Sequence, residues 1–152
     1  FIFLSAAVAI AGLTTGRLVA ALGTKRLLVM ALTLQSVATG VLYLGTGPIS
    51  FALSMAIFGF GCGWSWSVVQ AGGIARFPAE KVGVASSVIQ TTVILIGAMA
   101  MPTAGAIVTA FSSPDSPAPG ISVSIFIGGV ICIAGIVVAA VALPRIRSTE
   151  AT

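Results

Sequence analysis

Apolar residues run along most of this chain without the regular polar punctuation of a water-soluble domain. Four uninterrupted apolar segments, 27–45, 49–71, 83–111 and 121–143, match the roughly 20 residues that a membrane-crossing helix needs. None contains a charged side chain, and one Lys or Arg at mid-bilayer costs about 2.5–3.5 kcal/mol on the insertion scale. A fifth run, 1–15, is apolar but shorter. It starts without Met and without the basic residues of a signal peptide, so it is expected to be the remainder of a longer helix in a chain truncated at its N-terminus. The segments are continuously apolar, not alternating, which excludes the strands of a membrane barrel. The expected architecture is all-α: a polytopic transmembrane helical bundle of about five helices, with no soluble domain.

The connections sort the charges. Segment 16–26 holds Arg17, Lys25 and Arg26, segment 72–82 holds Arg76 and Lys81, and the tail beyond 143 holds Arg145 and Arg147. The alternate connections, 46–48 and 112–120, hold no cation. All seven Lys and Arg therefore fall on one side, which the positive-inside rule assigns to the cytoplasm. The first span then runs inward and the C-terminus ends inside, in an integral membrane protein expected in a bacterial inner membrane. The net charge of +4 marks topology, so no nucleic-acid partner is expected.

Composition narrows the chemistry further. Hydrophobic types make up 58% of the 152 residues and charged types 7%, where about 25% charged is ordinary for a soluble domain. There is no histidine, hence no imidazole base or metal ligand. The carboxylates Glu80, Asp115 and Glu150 lie far apart in polar stretches, and Cys62 and Cys132 sit inside apolar runs as small hydrophobes. No catalytic residue, metal site or cofactor is implied, which argues against an enzyme.

Helices in lipid gain little from burying apolar groups on one another, so small residues mark close contacts. Gly59, Gly63, Trp66, Gln70 and Gly73 recur at steps of four, three, four and three and share one helical face. Gly83, Ser86, Gln90, Gly97 and Gly105 form a second stripe, with Ile94 and Met101 between them; Thr33, Ser36, Gly40, Tyr43 and Gly47 form a third, and Gly128, Cys132, Gly135 and Ala139 a fourth. Such stripes are read either as helix–helix contacts or as the wall of a polar cavity. Trp64, Trp66, Gln70 and Gln90 favour the cavity, because an amide in lipid costs free energy until it finds a partner or water. An interfacial aromatic belt is the alternative for the two tryptophans. Pro102, flanked by Gly97 and Gly105, removes one backbone hydrogen bond and kinks its helix, as a static bend or as a hinge.

Segment 16–26 resembles the signature cytoplasmic loop of the major facilitator superfamily, Gly-x-Leu-Ala-Asp-Arg-x-Gly-Arg-Arg/Lys-Arg/Lys. Gly16, Leu18, Gly23, Lys25 and Arg26 match in type and spacing, with Arg17 at the variable position, while Ala20 and Ala21 stand where the family has Asp and Arg. The charge latch that the family builds on that Asp is therefore not expected at this segment. Gly61-Cys62-Gly63-Trp64-Ser65-Trp66 and the stretch from Phe77 to Thr91 are similar to the tenth helix, loop and eleventh helix of bacterial members. Gly97-x-x-x-Met101-Pro102-x-x-Gly105 is similar to the family's Gly-x-x-x-Gly-Pro-x-x-Gly element. Segment 49–71 lacks the membrane arginine usual in the first repeat, and a basic tail follows the last span. Both point to the C-terminal half, helices eight to twelve, over helices two to six.

The resemblance implies a secondary active transporter that moves a small organic solute by alternating access, bound between two halves near mid-membrane. Efflux is the expected direction, with solute uptake by a permease of the same superfamily or a non-transporting membrane scaffold as alternatives. The implied partners are the lipid bilayer, a missing N-terminal half and a small-molecule substrate. No span holds an Asp, Glu, Lys, Arg or His, so any proton coupling is expected to use residues outside this chain.

Overall fold

A computed structural model describes residues 2–45, 47–75, 77–113, 116 and 118–142. Arg76, Asp115, Arg145, Arg147 and Glu150 lie outside these residues, and so does the part of the charge sorting that rests on them. The described residues form five helices, α1 Ile2–Leu22, α2 Thr24–Leu44, α3 Pro48–Ile74, α4 Val82–Phe111 and α5 Ala118–Ala142, with one 3-10 turn at Ala79–Lys81. All five are long and apolar enough to cross a membrane. The fold is an all-α transmembrane bundle.

The helices run further than the apolar segments. The first was expected to end at residue 15 and to be followed by a loop over 16–26, but α1 continues to Leu22 and α2 begins at Thr24. Charge marks where the bilayer surface lies, whereas a helix ends only where its backbone bonding is interrupted, and nothing between Arg17 and Leu22 interrupts it. Gly23 does. Its φ of 80° and ψ of 155° lie in a region open essentially to glycine. Its N–H donates to Val19 O at 2.9 Å and closes α1, while its carbonyl accepts from Leu27 N–H at 3.2 Å and opens α2. The signature segment is thus two helix ends joined by one residue. α3 likewise extends through Gly72 and Gly73 to Ile74. At its start Pro48 takes a position where its missing N–H is not needed, and Ser50 Oγ accepts from Gly47 N–H at 3.1 Å.

α3 is the centre of the bundle. Its Gly59 and Gly63 face α1: a methyl at Gly59 would lie 2.7 Å from Leu4 O, and one at Gly63 would lie 2.6 Å from Ala11 Cβ. Gly61, two positions away and so about 200° around the helix, faces α2, where a methyl would lie 2.7 Å from Ala31 O. Bare backbone on opposite sides of one helix lets two neighbours approach it closely. Ala7, Ala11, Ala31 and Leu27 are almost fully buried in these seams.

α5 lies antiparallel on α2. A methyl at Gly129 would meet Thr39 Cγ2 at 3.4 Å and one at Gly135 would meet Leu32, and the Tyr43 and Phe126 rings meet at a tilt of 53° with centroids 6.4 Å apart. At the far end Lys25 Nζ donates to Ala140 O at 2.7 Å, so the first turn of α2 supplies a cation to the carbonyl end of α5. α4 is held differently. It meets α3 near its start, where Ile89 Cδ1 packs over Gly73, and α5 near its end, where Ser124 Oγ donates to Ala104 O at 3.5 Å. Every residue in 94–106 is exposed.

These contacts place the C-terminal ends of α1, α3 and α5 with the N-terminal ends of α2 and α4. Arg17, Lys25, Arg26, Glu80 and Lys81 all lie at that end. Ser113 and Ser116, which exchange both backbone hydrogen bonds at 3.1 and 3.2 Å, turn the chain at the other.

Candidate functional site

Two amides expected in the bilayer find each other. Gln70 Nε2 on α3 donates to Gln90 Oε1 on α4 at 2.7 Å. Gln70 lies one turn before the end of α3 and Gln90 about 12 Å along α4, so the pair sits in the charged half of the bundle. A side-chain bond of this kind answers the cost of an amide in lipid, but only in part: Gln70 Oε1 is buried and has no donor among the described residues. Trp66, one turn earlier on the same face of α3, is 45% exposed. Together these three side chains form a polar and aromatic strip beside the open middle of α4.

Trp64 stands apart from them. Positions 64 and 66 differ by about 200° around the helix, and Trp64 turns to α1, where its Nε1 donates to Thr14 Oγ1 at 3.2 Å. Its ring packs on Phe60 with centroids 5.9 Å apart. Thr14 passes the bond to its own helix, at 3.1 Å from Ile10 O and 3.0 Å from Ala11 O. Trp64 belongs to the seam between α1 and α3, not to the strip on α3 and α4.

The expected glycine stripes divide in the same way. Gly59 and Gly63 pack, as does the stripe of α5 at Cys132, Gly135 and Ala139, while Gly128 of that stripe has open space beside it. Gly97 and Gly105 have nothing within 4 Å of a built methyl and are exposed with Pro102 between them. Packing of those two glycines on a neighbour is not what the described residues show, because α4 touches the bundle only towards its two ends. Gly40 and Gly83 are open too. In the signature segment, Arg17 and Arg26 are exposed, Leu18 is half-buried, Gly16 has open space beside it and Gly23 makes the turn.

A second polar cluster escaped the reading of the sequence. Gln35 on α2 is buried and donates from Nε2 to Ser65 Oγ on α3 at 2.9 Å. Ser65 Oγ lies 2.7 Å from Gly61 O, to which it donates, and Cys132 Sγ of α5 lies 4.0 Å from Gln35 Oε1. The signal was present, since Gln35 is a large polar side chain in mid-span like Gln70 and Gln90. Cys132 therefore has a polar neighbour, and both cysteines are free thiols.

Antiparallel apolar helices, charges gathered at one end, a one-residue turn inside a basic glycine segment and a proline–glycine helix follow one another in the order of a known family. A sequence profile of the Major Facilitator Superfamily matches residues 1–152. The chain belongs to that superfamily. No curated protein and no solved structure matches it. The Major Facilitator Superfamily is a family of membrane transporters, which makes this MFS chain an integral membrane protein whose setting is the lipid bilayer and whose ligand is a small-molecule substrate.

Proposed function

We propose that this MFS chain forms helices eight to twelve of a secondary active transporter and contributes one wall of a cavity for a neutral or amphipathic organic solute. The observation that carries the site is the Gln70–Gln90 bond across α3 and α4, with the exposed Trp66 ring one turn away. Amides and an indole recognise solutes through hydrogen bonds and ring contact, with no fixed charge to hold an inorganic ion. Alternating access then needs α4 to change its relation to α3. Its loose attachment between residues 94 and 106, and the missing N–H of Pro102, support that movement.

Efflux is the direction we propose, from the plasma membrane of a bacterial cell, with the charged end of the bundle and the C-terminus in the cytoplasm. The cations at that end, Arg17, Lys25, Arg26 and Lys81, support this orientation. Proton coupling, where present, uses groups beyond these spans, because α3 and α4 carry no carboxylate, histidine, lysine or arginine within them.

The test is transport by the full-length protein in proteoliposomes. Gln70→Ala and Gln90→Ala are each expected to change substrate affinity or rate. Unchanged kinetics in both would place the site elsewhere.

A further inference from the structure

The Gln70–Gln90 pair is chemically incomplete, and its missing half describes a ligand. A primary carboxamide carries an acceptor and a donor on one edge, so two of them can pair through two parallel hydrogen bonds. Gln70 makes only one of these with Gln90. Its Nε2 donates to Gln90 Oε1 at 2.7 Å, while its own Oε1 stays buried with no donor among the described residues. The reason is geometric: Gln90 is fixed to α4, and its amide reaches the nitrogen side of Gln70 but not the oxygen side. A buried acceptor left without a donor is costly, whereas the bond that is made is worth little net. The arrangement therefore loses to any amide free to turn and make both bonds.

Resting on the cavity reading above, we infer that Gln70 is the recognition edge for an aromatic primary carboxamide, and that Gln90 is its built-in competitor. The ligand amide displaces Gln90 from Gln70, donates to Gln70 Oε1 and accepts from Gln70 Nε2. Gln90 is free to swing aside, because its side chain is exposed. Trp66, at the spacing that brings side chains together on one helix face, offers its exposed ring to the aromatic part of the ligand. A cation of the same size gains less, since no carboxylate stands in α3 or α4 to balance it.

The competitor role makes the two glutamines respond in opposite directions, which a merely structural bond would not do. Radiolabelled benzamide is titrated onto the full-length protein in lipid nanodiscs. N,N-dimethylbenzamide, which lacks the donor, and benzyltrimethylammonium serve as unlabelled competitors. The expected result is saturable benzamide binding, with each competitor weaker than unlabelled benzamide by about tenfold. Gln70→Met abolishes binding or weakens it by a similar factor, and Gln90→Met tightens it. Both variants remove the same interhelical bond, so a folding defect would shift them together, and weakening in both overturns the inference. Equal competition by the dimethyl compound, or tighter binding of the cation, overturns the carboxamide edge and leaves the cavity standing. No saturable binding of any probe overturns the edge and the cavity reading alike.

Discussion

Gln35 of α2 and Ser65 of α3 are joined by a 2.9 Å hydrogen bond between two helices that also meet at bare backbone, where a methyl on Gly61 would lie 2.7 Å from Ala31 O. Bond and backbone contact belong to one seam, yet they contribute differently. Polar side-chain bonds between membrane helices average about 0.6 kcal/mol and reach about 1.7 kcal/mol. Overfilling a packed contact costs about 1–3 kcal/mol. Gln35→Leu is therefore expected to lower thermal stability in detergent modestly, because Ser65 keeps its bond to Gly61 O. Gly61→Ala is expected to lower it more. The reverse order would mean that the amide, not the close approach, holds α2 to α3.

A second contrast uses glycines that look alike in the sequence. Gly63→Ala pushes a methyl against Ala11 Cβ at 2.6 Å and Val8 O at 2.9 Å, and is expected to cost about 1–3 kcal/mol. Gly97→Ala meets nothing within 4 Å and replaces a poor helix former in mid-helix, which gains up to about 1 kcal/mol. Thermal unfolding of the two variants in the same detergent separates them. Destabilisation by Gly97→Ala would show that another surface packs on α4 at that point.

Within the signature segment the same logic separates Gly16 from Gly23. Gly23→Ala forces a side chain into a φ of 80° and is expected to destabilise by about 1–3 kcal/mol. Gly16→Ala, inside α1 with open space beside it, is expected to be neutral or stabilising. Equal losses at both positions would place the constraint in a contact of the segment, not in the turn.

The glutamines show how far the candidate site was legible. The cost of an amide in lipid identifies Gln70 and Gln90 as side chains in need of partners before any coordinates exist. It does not say that they partner each other, nor that one oxygen remains unanswered. Helical spacing puts Trp66 on the stripe of Gln70, yet Trp64 was an equal candidate for the cavity because an indole in a span needs a partner on whichever face it lies. Only the placement of α1 against Gly59 and Gly63 turned one indole into the seam and left the other exposed.

Span number and helix type follow from the sequence alone, because in a bilayer an apolar stretch has one way to satisfy its backbone, and that bonding is local to the helix. The end that carries the described charges follows too, since charge is excluded from the spans residue by residue. The end of a helix was not readable from hydropathy. Arg17 marks a bilayer boundary inside α1, and Gly23 ends the helix six residues later. Which glycines pack was decided by tertiary structure alone. Gly63 and Gly97 each sit at the spacing of a helical stripe, but a stripe becomes a seam only where a second helix is brought against it, and among the described residues α3 has such neighbours at Gly63 where α4 has none at Gly97.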